Sequence, residues 1–155
     1  RYNHKFSNLV RWEVFTQLQT NKITKIDSRF LAGTGPRFKL SGSGVLHVYL
    51  GVLAMYEYER ELTVPPVSHH DVRNSNYLSF TIKPTATLEI ISTTFYQPRF
   101  SQWGDFRILN QESASLAITQ KLSATINWNY LYDQFPVAGV PKSNYTFSTG
   151  FRYAF

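Results

Sequence analysis

From Tyr145 to the end of the chain, large apolar residues alternate with small or polar ones: Tyr145-Thr-Phe-Ser-Thr-Gly-Phe-Arg-Tyr-Ala-Phe155. Side chains of a strand have a period of two. Tyr145, Phe147, Thr149, Phe151, Tyr153 and Phe155 therefore share one face, and Thr146, Ser148, Gly150, Arg152 and Ala154 share the other. A terminal strand with an aromatic-capped apolar face and an aromatic last residue has the pattern of an outer-membrane β-barrel strand. Tyr153 and Phe155 are the candidate signal for the barrel-assembly machinery.

The chain has 155 residues, enough for a single barrel domain spanning 1–155. Hydrophobic residues make up 43% and aromatics 16%, yet the mean hydropathy is −0.27, so the apolar residues are dispersed among polar ones. No run approaches the roughly 20 consecutive apolar residues of a membrane helix. A chain of this kind spans a membrane only as a closed barrel, because an open edge leaves backbone groups unpaired in lipid. Cysteine is absent, which removes disulfides and thiolate metal sites. The formal charge is +6, but Lys and Arg are scattered singly. No basic helix, phosphate-binding loop or RNA-binding signature accompanies them, so no nucleic-acid partner is expected. Basic residues at strand ends suit outer-membrane lipid headgroups and lipopolysaccharide phosphates.

Alternation recurs in eight segments, roughly 9–19, 27–40, 45–60, 75–83, 86–98, 106–119, 122–133 and 144–155. Each reaches about the 9–11 residues needed to cross a bilayer at a tilt. The connections at 39–44, 83–85 and 120–122 are tight, whereas those at 20–26, 61–74, 99–105 and 134–143 are longer and richer in Pro, Gly and polar residues. With the C-terminus on the periplasmic side, every tight turn falls inside and every long loop outside, as in outer-membrane barrels.

This parity sorts the faces. Val10, Trp12, Val14, Thr16 and Leu18 are predicted to face lipid, as are the even-numbered residues Leu46 to Tyr58, Leu78, Phe80 and Ile82. Leu88, Ile90, Tyr96 and the even-numbered residues Leu122 to Tyr132 continue this wall. Tyr56, Tyr58, Tyr96, Trp103, Tyr130, Tyr132 and Tyr145 form a predicted outer aromatic girdle, with Trp128 beside it. Trp12, Phe38, Tyr153 and Phe155 form the inner one.

The complementary faces carry charges of both signs, which a narrow lumen tolerates only when they are paired. The predicted lumen network links Arg11, Arg37 and Arg152 with Glu13, Glu57 and Glu89. Its expected role is structural, with ion or solute selectivity as the alternative.

Chemistry-bearing residues outside that network are few. His69-His70-Asp71 has ligand types suited to zinc or copper, but adjacent residues seldom complete a site, and a polar extracellular loop explains them. His47 is predicted to face the lumen near the periplasmic end without an evident nucleophile, which leaves a lipid hydrolase as a weaker alternative. Glu57 and Glu59 share a face as glycosidase carboxylates do, yet charged lumen filling accounts for both. Asn144-Tyr-Thr146 matches a short glycosylation pattern of low specificity. No catalytic residues, metal or cofactor are expected.

Lys5-Phe6-Ser7 repeats a Lys-apolar-Ser pattern seen at 39–41 and 121–123, which predicts a periplasmic turn over residues 3–8. Arg1-Tyr2 would then be the tail of an earlier strand, with processing or truncation having removed what precedes it. The segment is accordingly expected to be the C-terminal part of a ten- or twelve-stranded barrel, since bacterial barrels have even strand counts.

The stretches 8–17, Leu31-Ala-Gly-Thr-Gly-Pro-Arg-Phe38, Met55-Tyr-Glu-Tyr-Glu59, Ser92-Thr-Thr-Phe-Tyr-Gln-Pro98 and Tyr130-Leu-Tyr-Asp133 resemble the domain of unknown function 481 family, salt-induced outer-membrane proteins. The form here is similar to that of Bacteroidota. The resemblance covers almost the whole chain. It implies an outer-membrane barrel with no established catalytic residues, and further sequence upstream of the region around Asn8. The expected function is a structural or partner-docking barrel with a narrow, largely plugged, charged lumen. The alternatives are a narrow channel and a subunit of a larger envelope complex.

Overall fold

A computed structural model describes residues 1–154. Phe155, half of the expected C-terminal signal and the last member of the inner girdle, lies outside the described residues. Among the described residues nine antiparallel strands follow one another in chain order through a single up-and-down sheet. They are β1 (Tyr2–Lys5), β2 (Val10–Asn21), β3 (Ile26–Gly42), β4 (Leu46–Glu61), β5 (Ser68–Ile82), β6 (Leu88–Arg99), β7 (Gln102–Ala117), β8 (Leu122–Asp133) and β9 (Ser143–Tyr153). Among the described residues β1 and β9 are the two edges and do not pair with each other.

Eight of the strands are those expected from the alternation, and the ninth is a correction. Residues 3–5 belong to β1, where Asn3 sits opposite Glu13 and Lys5 opposite Arg11, so the turn is confined to residues 6–9. Two further strands start earlier than expected. β5 begins at Ser68 rather than near 75, which places His69-His70-Asp71 on a strand instead of in a loop. β7 begins at Gln102 rather than near 106. At the first of these the polar rim stays in the backbone ladder, Glu57, Tyr58 and Glu59 pairing with Asp71, His70 and His69, and at the second Gln102 pairs with Arg99 across a bulge. The expected contrast in loop length shrinks accordingly, since the connection after β6 is only residues 100–101 and that after β4 is 62–67.

The turns at the end where β9 finishes share one device. Each holds a Ser or Thr whose hydroxyl accepts the backbone N–H of the residue that opens the next strand, three positions on. The pairs are Ser7 with Val10 at 3.0 Å, Ser43 with Leu46 at 3.1 Å, Thr85 with Leu88 at 3.1 Å and Thr119 with Leu122 at 3.0 Å. The hydroxyl satisfies a backbone donor that the reversal would otherwise strand.

The period of two then decides what is inside. Along the second half of β4, Gly51, Leu53, Met55, Glu57 and Glu59 are buried while Val52, Ala54 and Tyr56 are exposed on the outward face. Leu31, Leu53, Met55 and Tyr77 form the apolar part of the interior. Trp12 lies outward as the alternation requires, its indole N–H donating to Thr34 Oγ1 at 2.7 Å.

At Gly35 the backbone of β4 comes close to that of β3. A Cβ there would overlap the Val52 carbonyl and the Leu53 Cα, both backbone, so nothing flexible can yield. Gly35→Ala is expected to lower unfolding free energy by about 1–3 kcal/mol, the usual cost of overpacking. Denaturant titration in detergent micelles checks this, and an unchanged midpoint would mean the strands are further apart than described.

Candidate functional site

The most organised polar site lies inside the curled sheet, at the end opposite the hydroxyl-capped turns. Its centre is Glu57 on β4, with 1% of its surface exposed. Arg29 of β3 donates to it from Nε at 2.5 Å and Arg73 of β5 from Nε at 2.7 Å, and Arg107 of β7 donates from Nη1. Arg73 reaches on to Asp105 at 3.1 Å, and Arg107 to Glu59 at 3.2 Å and to Asp133 at 2.6 Å. Arg99 pairs with Asp71 and, at 3.1 Å, with Asp105. Charges from β3 to β8 thus converge on one level, and the contacts of Arg107 with Glu57 and Glu59 and of Arg73 with Asp105 bridge strands that are not neighbours in the sheet. Burial of so many ions is tolerated because each carboxylate meets at least one guanidinium.

Above this cluster the connections close inward. Lys25, between β2 and β3, donates to the Ala138 carbonyl at 2.8 Å, and Leu62 N–H donates to the Lys25 carbonyl at 2.7 Å. Val137, in the connection between β8 and β9, is buried. A cavity of about 320 Å³ remains, lined among others by Glu61, His69, Arg99, Gln102, Phe135 and Val137.

Three of the six residues expected to form the lumen network are engaged inside, but not with one another. Glu13 is fully buried, accepting from Tyr77 OH at 2.7 Å and paired with Arg1 Nε at 2.9 Å. Glu57 sits in the cluster above. Arg37 stacks on the Tyr49 ring, 4.0 Å from its centroid. Arg11 stands directly opposite Arg37 in the β2–β3 ladder, and Arg152 is exposed opposite Ser123. Glu89 pairs with Lys83 at 2.6 Å in a solvent-exposed position. The predicted linkage of Arg11, Arg37 and Arg152 to Glu13, Glu57 and Glu89 is therefore not the one formed. The reason is depth. Arg37 faces Gly51 on β4, six residues from Glu57, a separation of roughly 20 Å along a strand.

The depth of the arginines that do meet Glu57 follows from strand starts that alternation in the sequence placed too late, near 75 and 106. Arg73 and Arg107 are each the sixth residue of strands that run inward from the same end, so they reach the same depth. Arg11, Arg37, Lys39 and Arg152 leave the opposite half of the interior basic.

The remaining candidates separate. His69 binds Glu61 at 2.8 Å, while His70 turns outward to Tyr56 OH at 2.8 Å, so the adjacent histidines face opposite ways. His47 lies opposite Gly42 and Thr81. Asn144 donates from Nδ2 to the Pro141 carbonyl at 3.0 Å and serves the loop itself. Among the described residues no group of three or more His, Asp or Glu is arranged to hold a metal ion. The expected girdle residues Tyr56, Tyr96, Trp103, Trp128, Tyr145 and Tyr153 are exposed. Tyr130 and Tyr132 are partly covered, with Tyr130 beside Trp128 and Tyr132 stacked on Phe106. Phe38 and Tyr58 are half-buried, Tyr58 against His70.

Comparison with known proteins extends this geometry. The model of a family described as "Protein of unknown function, DUF481" matches residues 1–155. A solved structure described as "NanC porin structure in rhombohedral crystal form" superposes with a TM-score of 0.61 at 14% identity, covering 99% of this chain and 76% of that one. The shared feature is the fold, an up-and-down antiparallel porin-type sheet. No protein of curated function matches the sequence.

Proposed function

The chain belongs to the family described as "Protein of unknown function, DUF481", and from its porin-type up-and-down sheet we propose that it is an integral outer-membrane β-barrel protein of a Gram-negative bacterium. Its role is structural or docking rather than catalytic, and its lumen is blocked near the outer end. The hydroxyl-capped turns and the end of β9 face the periplasm, and the connections bearing Lys25, Leu62 and Val137 face outward. Lys22 and Lys142, in those outer connections, are placed to meet lipopolysaccharide phosphates, and β9 serves as the strand read by the barrel-assembly machinery.

One observation carries the reading. The Glu57 cluster sets side chains from β3, β4, β5 and β7 across the interior of the sheet, where they satisfy one another. A solute passing at this level must break several buried ion pairs at once, whereas selective pores keep their charged rings open to water.

Planar-bilayer recording of protein purified from its native membrane is the test. The expected result is insertion without reproducible conductance steps. Reproducible steps that change on substitution of Arg37 or Glu89 would make it a narrow channel instead.

A further inference from the structure

The outward wall, apolar over most of its area, carries a compact polar block on β6 and β7, besides the uncharged Asn74 and Asn76 of β5. In the β6–β7 ladder Ser92 stands opposite Glu112 and Thr94 opposite Asn110, all four on the outward face. Phe80 and Leu78 flank the block on β5, Trp128 and Tyr130 flank it on β8, and Ile90, Ala114, Tyr96 and Ile108 close it above and below. Asn110 donates from Nδ2 to Thr94 Oγ1 at 2.9 Å, but its Oδ1 is buried without a partner. Glu112 is exposed and has no ion-pair or hydrogen-bond partner among the described residues. Beside it lies a shallow hollow of about 230 Å³ lined by Ile90, Ser92, Ala114, Ile126 and Trp128.

Depth makes this block informative. Glu112 is five residues from the end of β7 at Ala117. At about 3.3 Å per residue and a 45° tilt this is roughly 12 Å from the periplasmic strand end, well inside an apolar band about 25 Å tall. A lone carboxylate there is costly in lipid and becomes tolerable once a donor or cation is supplied. The unmet groups, Glu112, Asn110 Oδ1 and Asn76 Oδ1 on the neighbouring β5, are all acceptors. A second copy of the wall does not supply the complement, since the outward faces of β2 to β9 carry no Lys or Arg away from strand ends among the described residues.

We propose that this face docks a different membrane-embedded protein, which seats a Lys or Arg side chain in the hollow against Glu112 and packs apolar residues on Ile90, Ile126 and Trp128. The proposal rests on the outer-membrane reading above and assigns that barrel's docking surface.

The test places a photo-crosslinkable benzoylphenylalanine at Ala114, and at Val14 on the far wall as a control, in the protein expressed in its native cells. Membrane fractionation and heat-modifiable migration are followed in the same samples. The expected result is an adduct from position 114, absent from position 14, with another protein. The linked peptide belongs to a membrane-spanning segment carrying Lys or Arg. Glu112→Ala should lower its yield about tenfold or more, as loss of one member of a desolvated charge pair does, while the barrel still migrates as folded. Glu112→Lys combined with Lys→Glu or Arg→Glu in the partner should restore it. A folded, membrane-inserted barrel that gives no adduct, an adduct only with its own copies, or one unchanged by Glu112→Ala and Glu112→Gln would overturn the docking proposal and leave the membrane reading intact. Failure to fractionate with the membrane would overturn both.

Discussion

Replacing Glu57 with alanine is expected to lower the unfolding free energy by about 3–5 kcal/mol, the range found when one member of a buried ion pair is removed. The effect is large because the carboxylate serves three guanidiniums at once. Arg29 and Arg107 keep Glu59, and Arg73 keeps Asp105, but all three lose their shortest contact in a place where water does not replace it. Glu57→Gln retains the volume and one acceptor oxygen and should lie between the two. Glu89→Gln, by contrast, removes a partner from an exposed pair with Lys83 and should cost less than about 1 kcal/mol. Denaturant titration of the three variants in detergent micelles, followed by loss of heat-modifiable migration, checks the ranking. Equal effects at Glu57 and Glu89 would mean that the cluster is hydrated.

The second large effect separates the two faces of one strand. Ile126 and Asn127 are adjacent on β8, with Ile126 on the outward wall opposite Ala114 and Asn127 on the inner face opposite Ser113. Ile126→Arg, made together with Glu112→Gln so that no carboxylate beside it can pair with the new charge, places a charge against lipid and should destabilise the barrel by about 2–4 kcal/mol relative to Glu112→Gln alone. Asn127→Arg extends into the polar interior beside Ser113 and Ser148, where the side chain remains hydrated, and should change stability far less. Equilibrium refolding into phosphatidylcholine vesicles measures both. Equal costs would contradict the assignment of faces. A larger cost at Asn127 would make the sheet a soluble sandwich layer turned inside out.

The faces were legible in the sequence because a strand in lipid has one dominant rule, a period of two, and β2, β4 and β8 obey it almost without exception. The rim was less legible. Around His69-His70-Asp71 both faces are polar, so no alternation in hydrophobicity marks the strand. Backbone pairing with β4 and the Asp71–Arg99 contact hold it. Ion-pair partners were harder still. Parity tells which residues enter the lumen but not at what depth, and depth depends on the register accumulated from β3 to β8. That is why Arg29, Arg73 and Arg107 reach Glu57 while Arg11, Arg37 and Arg152 do not. The turn signal was present but a competing pattern obscured it. Lys-apolar-Ser repeats at 5–7, 39–41 and 121–123, whereas the element that shapes each reversal is a Ser or Thr three positions before the next strand's first residue. Glu112 escaped notice because the outward face of β7 reads Phe106, Ile108, Asn110, Glu112, Ala114 and Leu116, too mixed to stand out as a lipid wall without Trp128 and Ile90 beside it.

The central claim is an outer-membrane barrel blocked near its outer mouth, and the absence of cysteine makes single-cysteine labelling in intact cells its most direct test. Val64 is fully exposed in the connection between β4 and β5, and Ser79 lies on the inner face of β5 toward the periplasmic end, bonded to Thr93 at 2.8 Å. With a membrane-impermeant maleimide, Val64→Cys should label in intact cells, while Ser79→Cys should label only after the periplasm is opened. Labelling of Ser79→Cys in intact cells as fast as Val64→Cys, or protection of Val64→Cys until the outer membrane is broken, would contradict the account.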